Sequence, residues 1–370
     1  MNVGTPLGRA RIPFAIRSEQ RLFVPRWLPP ATTLGAVSVA LLISGILILA
    51  IGGDPIATFE HILVSAFGSV GVLSDTLVAA TPLIFTGLAC ALAFRMRLWN
   101  IGAEGQLYLG AWGASAVVLV PIVPVGTSAF LTIPLMAIAG IAAGAAWGGI
   151  AGWLRARFEV NEIITTLMLN YIAILWVRFW VFGPWSEGGF QLSRRFPREA
   201  WLGRLTDLSA LSRDFAGLTV HLGFVLALAA AILIWFVLAR TRKGYEIRLI
   251  GDNPQAARYA GVNIRRNILL VMLASGGLAG LAGMSEVSGV VHRLQDGISP
   301  GYGFTGVIIA YLAKLNPLGV VVAAIAFGAL ILAGREIQPA GIPSMIQGVI
   351  LFCVIASEIF LRYRIRLVRR

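Results

Sequence analysis

The stretch ATTLGAVSVALLISGILILAI, residues 31–51, carries no charged side chain. About 20 apolar residues suffice for a helix to cross the hydrocarbon of a bilayer. In that medium each backbone N–H and C=O must bond within the segment, which a helix achieves without partners. Similar blocks follow at 73–94, 129–154, 163–182, 219–239, 268–291, 319–333 and 342–361. A membrane barrel would instead show short alternating segments. The fold class is therefore an all-α integral membrane protein.

Composition agrees. Of 370 residues, 58% are hydrophobic and 13% charged, against about 45–50% and about 25% in soluble domains. A soluble fold of this size could not cover such an apolar excess with polar surface. The formal charge of +13 could suggest nucleic acid, but the cations sit in short segments beside apolar spans. There they set orientation by the positive-inside rule, and no nucleic-acid partner is expected.

Topology follows from those cations. Arg9, Arg11, Arg17, Arg21 and Arg26 precede the first span with only Glu19 against them, so residues 1–30 are expected in the cytoplasm. No signal-peptide pattern is evident there, and the first span is expected to be retained. Arg95 and Arg97, Arg155 and Arg157, and the cationic loop 240–267 belong on the same side. The nearly neutral loop 183–217 suits the outside, and the tail 362–370 returns inside. Residues 31–361 thus form a single membrane domain. Counting the Gly-interrupted segments near 103–121 and 303–314 gives about ten crossings, although 303–314 is short for a span.

Two sets of four segments, in 73–183 and 268–361, start on opposite sides, and each has a Gly-broken second member. An inverted repeat is therefore expected, and broken helices at matching positions point to a transport pathway. Gly and Pro are also common in membrane helices for packing alone.

The polar run Asn100, Ile101, Gly102, Ala103, Glu104, Gly105, Gln106 is read two ways: as part of the pathway, or as a turn where the chain re-enters. Asn161 and Glu162 suit a helix start, by capping and by the helix dipole, while Asn170 lies deeper. Glu286 sits in an otherwise apolar helix, where it could line a pathway or bond another helix. Candidate pathway residues are Asn100, Glu104, Gln106, Asn161, Asn170, Glu286, Tyr302 and Phe304. Arg335 and Glu336 are expected as a local ion pair at the outer rim. Cys90 and Cys353 lie in apolar spans and are read as packing residues. His61, His221 and His292 look scattered along outer edges, with no metal-ligand spacing. No cofactor, metal or catalytic residue is expected.

In the cytoplasmic loop, Asn253 caps, Pro254 suits a first helical position and Gly261 stops the helix. The result is a helix of under two turns, too short to stand alone, expected to present Ala257 and Tyr259 to a partner. No G-x-x-x-x-G-K-[ST] occurs, and Lys243 and Lys314 are the only lysines, so ATP hydrolysis is not expected of this chain.

Four stretches carry a resemblance: WNIGAEGQ (99–106), NEIITTLMLNY (161–171), GDNPQAARYAGV (251–262) and GYGFTG (301–306) with the following IIA (308–310). Together they resemble the permease subunits of bacterial ABC importers of the branched-chain amino acid and monosaccharide class, and look closest to nucleoside-type, simple-sugar-annotated permeases. The resemblance spans residues 73–360. It implies an inner-membrane importer subunit working by alternating access. It also implies ABC ATP-binding subunits, a second permease (identical or different) and an extracytoplasmic substrate-binding lipoprotein as partners. Pro254, Gln255, Ala256, Ala257, Arg258, Tyr259 and Gly261 would then be the coupling helix. The family pattern begins there with Glu, where this chain has Gln255. An ion-coupled secondary transporter, a membrane enzyme and a scaffold remain the alternatives.

Overall fold

In the computed structural model the described residues are 14–369, apart from 22, 24, 26, 121, 123, 125, 211 and 340. Arg9, Arg11, Arg26 and Arg370, used above for topology, lie outside them. The chain forms thirteen α-helices among the described residues: α1 (Leu28–Ala50), α2 (Pro55–Phe67), α3 (Val70–Arg95), α4 (Ala103–Leu119), α5 (Ala129–Phe158), α6 (Glu162–Phe182), α7 (Leu222–Arg240), α8 (Arg242–Asp252), α9 (Pro254–Tyr259), α10 (Ile264–Glu286), α11 (Tyr302–Leu312), α12 (Pro317–Ala333) and α13 (Ile342–Arg362). Their starts are chemically marked. Asp54, Ser69, Ser128, Asn161, Thr241, Asn253, Asn263 and Asn316 each accept a backbone N–H of the first turn through the side chain, satisfying donors a helix leaves orphaned.

Seven helices (α1, α3, α5, α6, α7, α10 with its π-turn to Val291, and α13) are long and apolar enough to cross a membrane. The block at 319–333 becomes the 17-residue α12, which stops short of that length, as do α2 and α11. Burial sorts the bundle. The apolar window of α3 is 89% buried and that of α10 61%, whereas those of α5, α6, α7 and α13 are each 22% buried. So α3, α4 and α10 are the centre, and the outer helices turn most of their apolar surface away from the protein, as lipid-facing helices do.

The packing exchanges between the two sets of helices. The first helix of the early set, α3, packs on α10, α11 and α12; the first helix of the late set, α10, packs on α3, α4 and α5. Close approach at α4, α5 and α10 depends on missing side chains. A Cβ on Gly110 or Gly144 would run into the backbone of Gly280, and one on Gly276 into that of Gly144. Small residues at such crossings let backbones approach in lipid, where packing rather than water exclusion holds helices together.

Both breaks lie within the bundle. After α3 the chain turns back, so that Asn100 bonds Ser275 Oγ, which donates to the Ala89 carbonyl at 2.6 Å. Ala89 is six residues before the end of α3, or roughly 9 Å of helix. From the other end, residues 293–301 fold inward until the Tyr302 carbonyl meets the Thr86 hydroxyl at 3.0 Å, midway along α3. Here α4 and α11 start nose to nose and run in opposite directions.

The bundle has two distinct ends. One carries α8 and α9, together with the antiparallel strands β1 (Phe14–Gln20) and β4 (Tyr363–Arg369), which pair from Phe14↔Arg369 to Gln20↔Tyr363. The other carries residues 186–221, which form the hairpin β2 (Ser186–Glu187) and β3 (Phe190–Ser193) and three one-turn 3-10 pieces. This cap is tied to the end of α10: Ser193 N donates to the Leu294 carbonyl, Phe196 N to that of His292, and Leu202 N to that of Ser288. Helices α2 and α8 and the strands are not foreshadowed in the sequence: α2 is short, and α8 mixes charged with apolar residues.

Candidate functional site

At the crossing of α4 and α11, backbone and side-chain polar groups satisfy one another. Asn100 and Gln106 exchange a pair of hydrogen bonds, Nδ2 to Oε1 at 2.9 Å and Nε2 to Oδ1 at 3.0 Å. Asn100 Nδ2 also donates to Ser275 Oγ at 2.8 Å, and its Oδ1 accepts the Gly102 N–H. From α6, Asn170 Oδ1 accepts the Gly105 N–H at 2.8 Å, while its Nδ2 donates to the Ile101 carbonyl at 2.9 Å. Three helices thereby hold the turn before α4. Each bond removes a polar group that would otherwise lie unpaired in the interior, at about 1–3 kcal/mol.

Glu104 reaches across. Its Oε2 accepts the Gly303 N–H at 2.7 Å, and Ser299 and the Gly301 amide also lie against it. A carboxylate suits this place because the first-turn N–H groups of α11 point at it along the helix dipole. The approach is close: a Cβ on Gly303 would collide with the Glu104 backbone. Gly301 precedes at φ 98°, and Ser299 Oγ accepts the N–H groups of Gly301 and Tyr302. Tyr302 and Glu286 are buried beside this crossing, whereas Phe304 is 43% exposed.

The second region is the α8–α9 end. Gly244 packs without room for a Cβ on Val237 and Leu238 of α7, and Gly251 likewise on Arg95 at the end of α3. Glu246 binds Lys243 Nζ at 2.7 Å, Arg242 at 3.4 Å and Asn267 Nδ2 of α10 at 3.2 Å. The Lys243 ammonium bonded to it, aided by Asn267, holds the Glu246 carboxyl below its usual range. So α8 is fastened to three helices of the bundle, and α9 projects from it. Tyr259 is 94% exposed and Pro254 and Gln255 are exposed, while Gly261, at φ 75°, ends the projection in a conformation that suits glycine.

At the hairpin end, His221 and His292 come together, despite their separation in sequence. Arg204 Nη2 donates to His292 Nε2 at 2.8 Å and to the Gly289 carbonyl, and His292 Nδ1 donates to the Ser288 carbonyl at 3.0 Å. Trp201 stacks on His292 at 3.7 Å between ring centroids, and Arg195 and Arg198 each lie 4.6 Å from the Trp201 ring. Burial first, and then the Arg204 charge, lower both imidazoles to about 4.

Several sequence expectations are corrected. Ala257 is fully buried against its own chain, because α9 is pressed on the bundle by that side, so it is not offered to a partner as expected. Glu336 does not pair with Arg335; it bonds His61 Nε2 at 3.2 Å and Ser65 Oγ, which α2 brings alongside. The histidines are not all scattered. Asn161 is an exposed helix cap, bonded to Ile163 N, away from the buried crossing that gathers Asn100, Glu104, Gln106 and Asn170. Ser275 also belongs to the crossing, and nothing in its local sequence marks it, whereas Ser299 lies within the Gly-broken run 298–303. Cys90 and Cys353 are free and buried, as read.

A family model described as branched-chain amino acid transport system / permease component matches residues 72–355. The chain is 36% identical to a glucose ABC transporter permease protein of Haloferax volcanii, over 95% of this chain and 93% of that protein. It is 36% identical to a guanosine ABC transporter permease protein of Bacillus subtilis, over 87% and 92% respectively. Against a nucleoside ABC transporter permease protein of Lactococcus lactis the identity is 32%, over 86% and 88%.

Proposed function

This chain belongs to the family of permease components of branched-chain amino acid transport systems, and on that premise we propose how it carries out transport and what it carries. It is a multi-pass permease subunit of an ABC transporter in the plasma (inner) membrane. Its cargo is a nucleoside or a related simple sugar, the class named for its relatives.

Ten crossings account for the bundle: α1, α3 to α7 and α10 to α13, with 183–217 outside and α8, α9 and both termini inside. The pairwise exchange of packing between α3 and α10 supports an inverted repeat of α3–α6 and α10–α13. The crossing of α4 and α11 is the pivot between the repeats, held shut by Glu104 and Gly303 in this conformation. Substrate would pass beside it, along the side where Phe304 is exposed.

The observation that carries the reading is the build of the α8–α9 end: a short projection on a base fastened to α3, α7 and α10. Force applied to Tyr259 or Gln255 would reach the two central helices without being lost in a slack loop. The chain itself does no ATP chemistry; ATP-binding subunits, a second permease and an extracytoplasmic substrate-binding lipoprotein complete the transporter.

The test is uptake by proteoliposomes containing the assembled transporter, with guanosine, adenosine and glucose as labelled cargoes. ATP-dependent uptake of a nucleoside or glucose is expected, requiring the lipoprotein. Uptake by this chain alone under a proton or sodium gradient would falsify the proposal.

A further inference from the structure

Beneath α9 lies an open cleft of about 790 Å³, walled by the ends of α3 and α5 on one side and by α9 and the start of α10 on the other. Its lining carries Arg97, Arg155, Arg258 and Arg265 against one acidic residue, Glu159. Arg155 is engaged with Glu162 at 3.2 Å and with the Glu159 carbonyl. Among the described residues, the side chains of Arg97, Arg258 and Arg265 make no hydrogen bond or ion pair. Three unpaired guanidinium groups around one cavity repel each other unless an anionic partner arrives.

Two features say what that partner is. The lining comes from the residues that follow α3, the end of α5, Ile250 of α8, α9 and the start of α10, so the cleft lies directly beneath α9. It shares its α9 wall with the projection that the reading above gives to the ATP-binding subunit, so a partner seated on Tyr259 and Gln255 stands beside its arginines. Half-buried Val262, Ile264 and Ile268 line the same cleft as the arginines, a mixture that fits a folded peptide segment better than a free ion.

We propose that the cleft receives an acidic, partly apolar segment of the ATP-binding subunit. This rests on the ATPase-partner reading given above and adds to it a second contact of opposite construction: α9 reaches out, and the cleft takes in. The inserted segment would touch α3 and α5 of one repeat and α10 of the other at once. Its movement could change the separation of the repeats directly.

The test uses the assembled transporter, with a photo-crosslinking amino acid at Arg265 in one preparation and at Tyr259 in another, followed by peptide mapping. Crosslinking from both positions to the ATP-binding subunit, with an acidic segment captured at Arg265, is expected. Capture from Tyr259 but only lipid, a neutral or basic segment, or nothing at Arg265 overturns the cleft while leaving the ATPase contact standing. Capture from neither position removes both. As a second measurement, Arg97→Glu with Arg265→Glu should weaken binding of the ATP-binding subunit roughly tenfold or more, while Arg97→Lys with Arg265→Lys stays within about threefold. Equal binding by the Glu pair and the parent also overturns the proposal.

Discussion

The helices α4 and α11 start against each other, joined by the 2.7 Å bond from Gly303 N–H to the Glu104 carboxylate, yet they are held differently. The turn before α4 is gripped by side chains from elsewhere, Asn170 of α6 and Ser275 of α10, as well as its own Asn100 and Gln106. The start of α11 is shaped largely by its own turn, through Ser299 and Gly301, and tied to the rest by Glu104 and by Thr86. Separating the two would cost the contacts that the Glu104 carboxylate makes with Gly303, Ser299 and Gly301 but leave the amide clasp intact. The start of α4 is thus held by side chains of two other helices, and the start of α11 mainly by its own turn.

Breaking the contact outright gives the largest effect. Gly303→Val places side-chain carbons where the Glu104 backbone lies, with a loss of roughly 3 kcal/mol or more. Thermal unfolding in detergent should show it, and an unchanged melting temperature would mean that the two starts do not touch.

Next come the two grips themselves. Asn170→Ala strands the Gly105 N–H and the Ile101 carbonyl, at about 2–4 kcal/mol. Glu104→Ala strands the Gly303 N–H and takes the acceptor from Ser299 and Gly301, at about 1–3 kcal/mol, whereas Glu104→Gln keeps an acceptor and should cost less. Equal melting temperatures for the Ala and Gln variants would show that the acceptor oxygen is not what holds α11.

Acid sharpens the contrast, because His292 leads into the segment before α11 and no histidine lies near α4. The folded imidazoles sit at about 4, below the usual 6.5, so the unfolded chain takes up protons first as pH falls. Their contribution is full above about pH 6.5 and is lost progressively between 6.5 and 4. His292→Gln should flatten part of that decline in melting temperature, and an unchanged slope would count against the Arg204–His292 contact as its source. Smallest in stability is Tyr259→Ala, within about 0.5 kcal/mol because the ring is 94% exposed. It should nevertheless reduce transport per ATP hydrolysed in the assembled system, and equal coupling would remove α9 from that role.

The long spans were legible because an uncharged run of 20 residues has few alternatives. The breaks at Asn100–Gln106 and Ile298–Gly303 were legible too, since Glu, Asn and Pro stand out in apolar surroundings. What pairs with what was not. Asn170 and Gly105 are far apart in the chain, as are Glu104 and Gly303, and only the folded path of α3 brings them together. Six residues of α9 are too few for a periodicity that would show Ala257 facing inward. One signal could have been used: Gly140, Gly144, Gly148 and Gly152 recur every fourth residue along α5, a small-residue face that foretells a close helix crossing.

The pairing of β1 with β4 has a consequence for the order of events in synthesis. Phe14 finds its register only opposite Arg369, so the first described strand to leave the ribosome waits for the last. At about 5–20 residues per second, that delay is on the order of tens of seconds. Through it α1, whose packing partner is α13, sits in the membrane with that side unclaimed. The permease therefore closes like a clasped bracelet, and a nascent chain cut short anywhere before α13 leaves its opening helix without its mate.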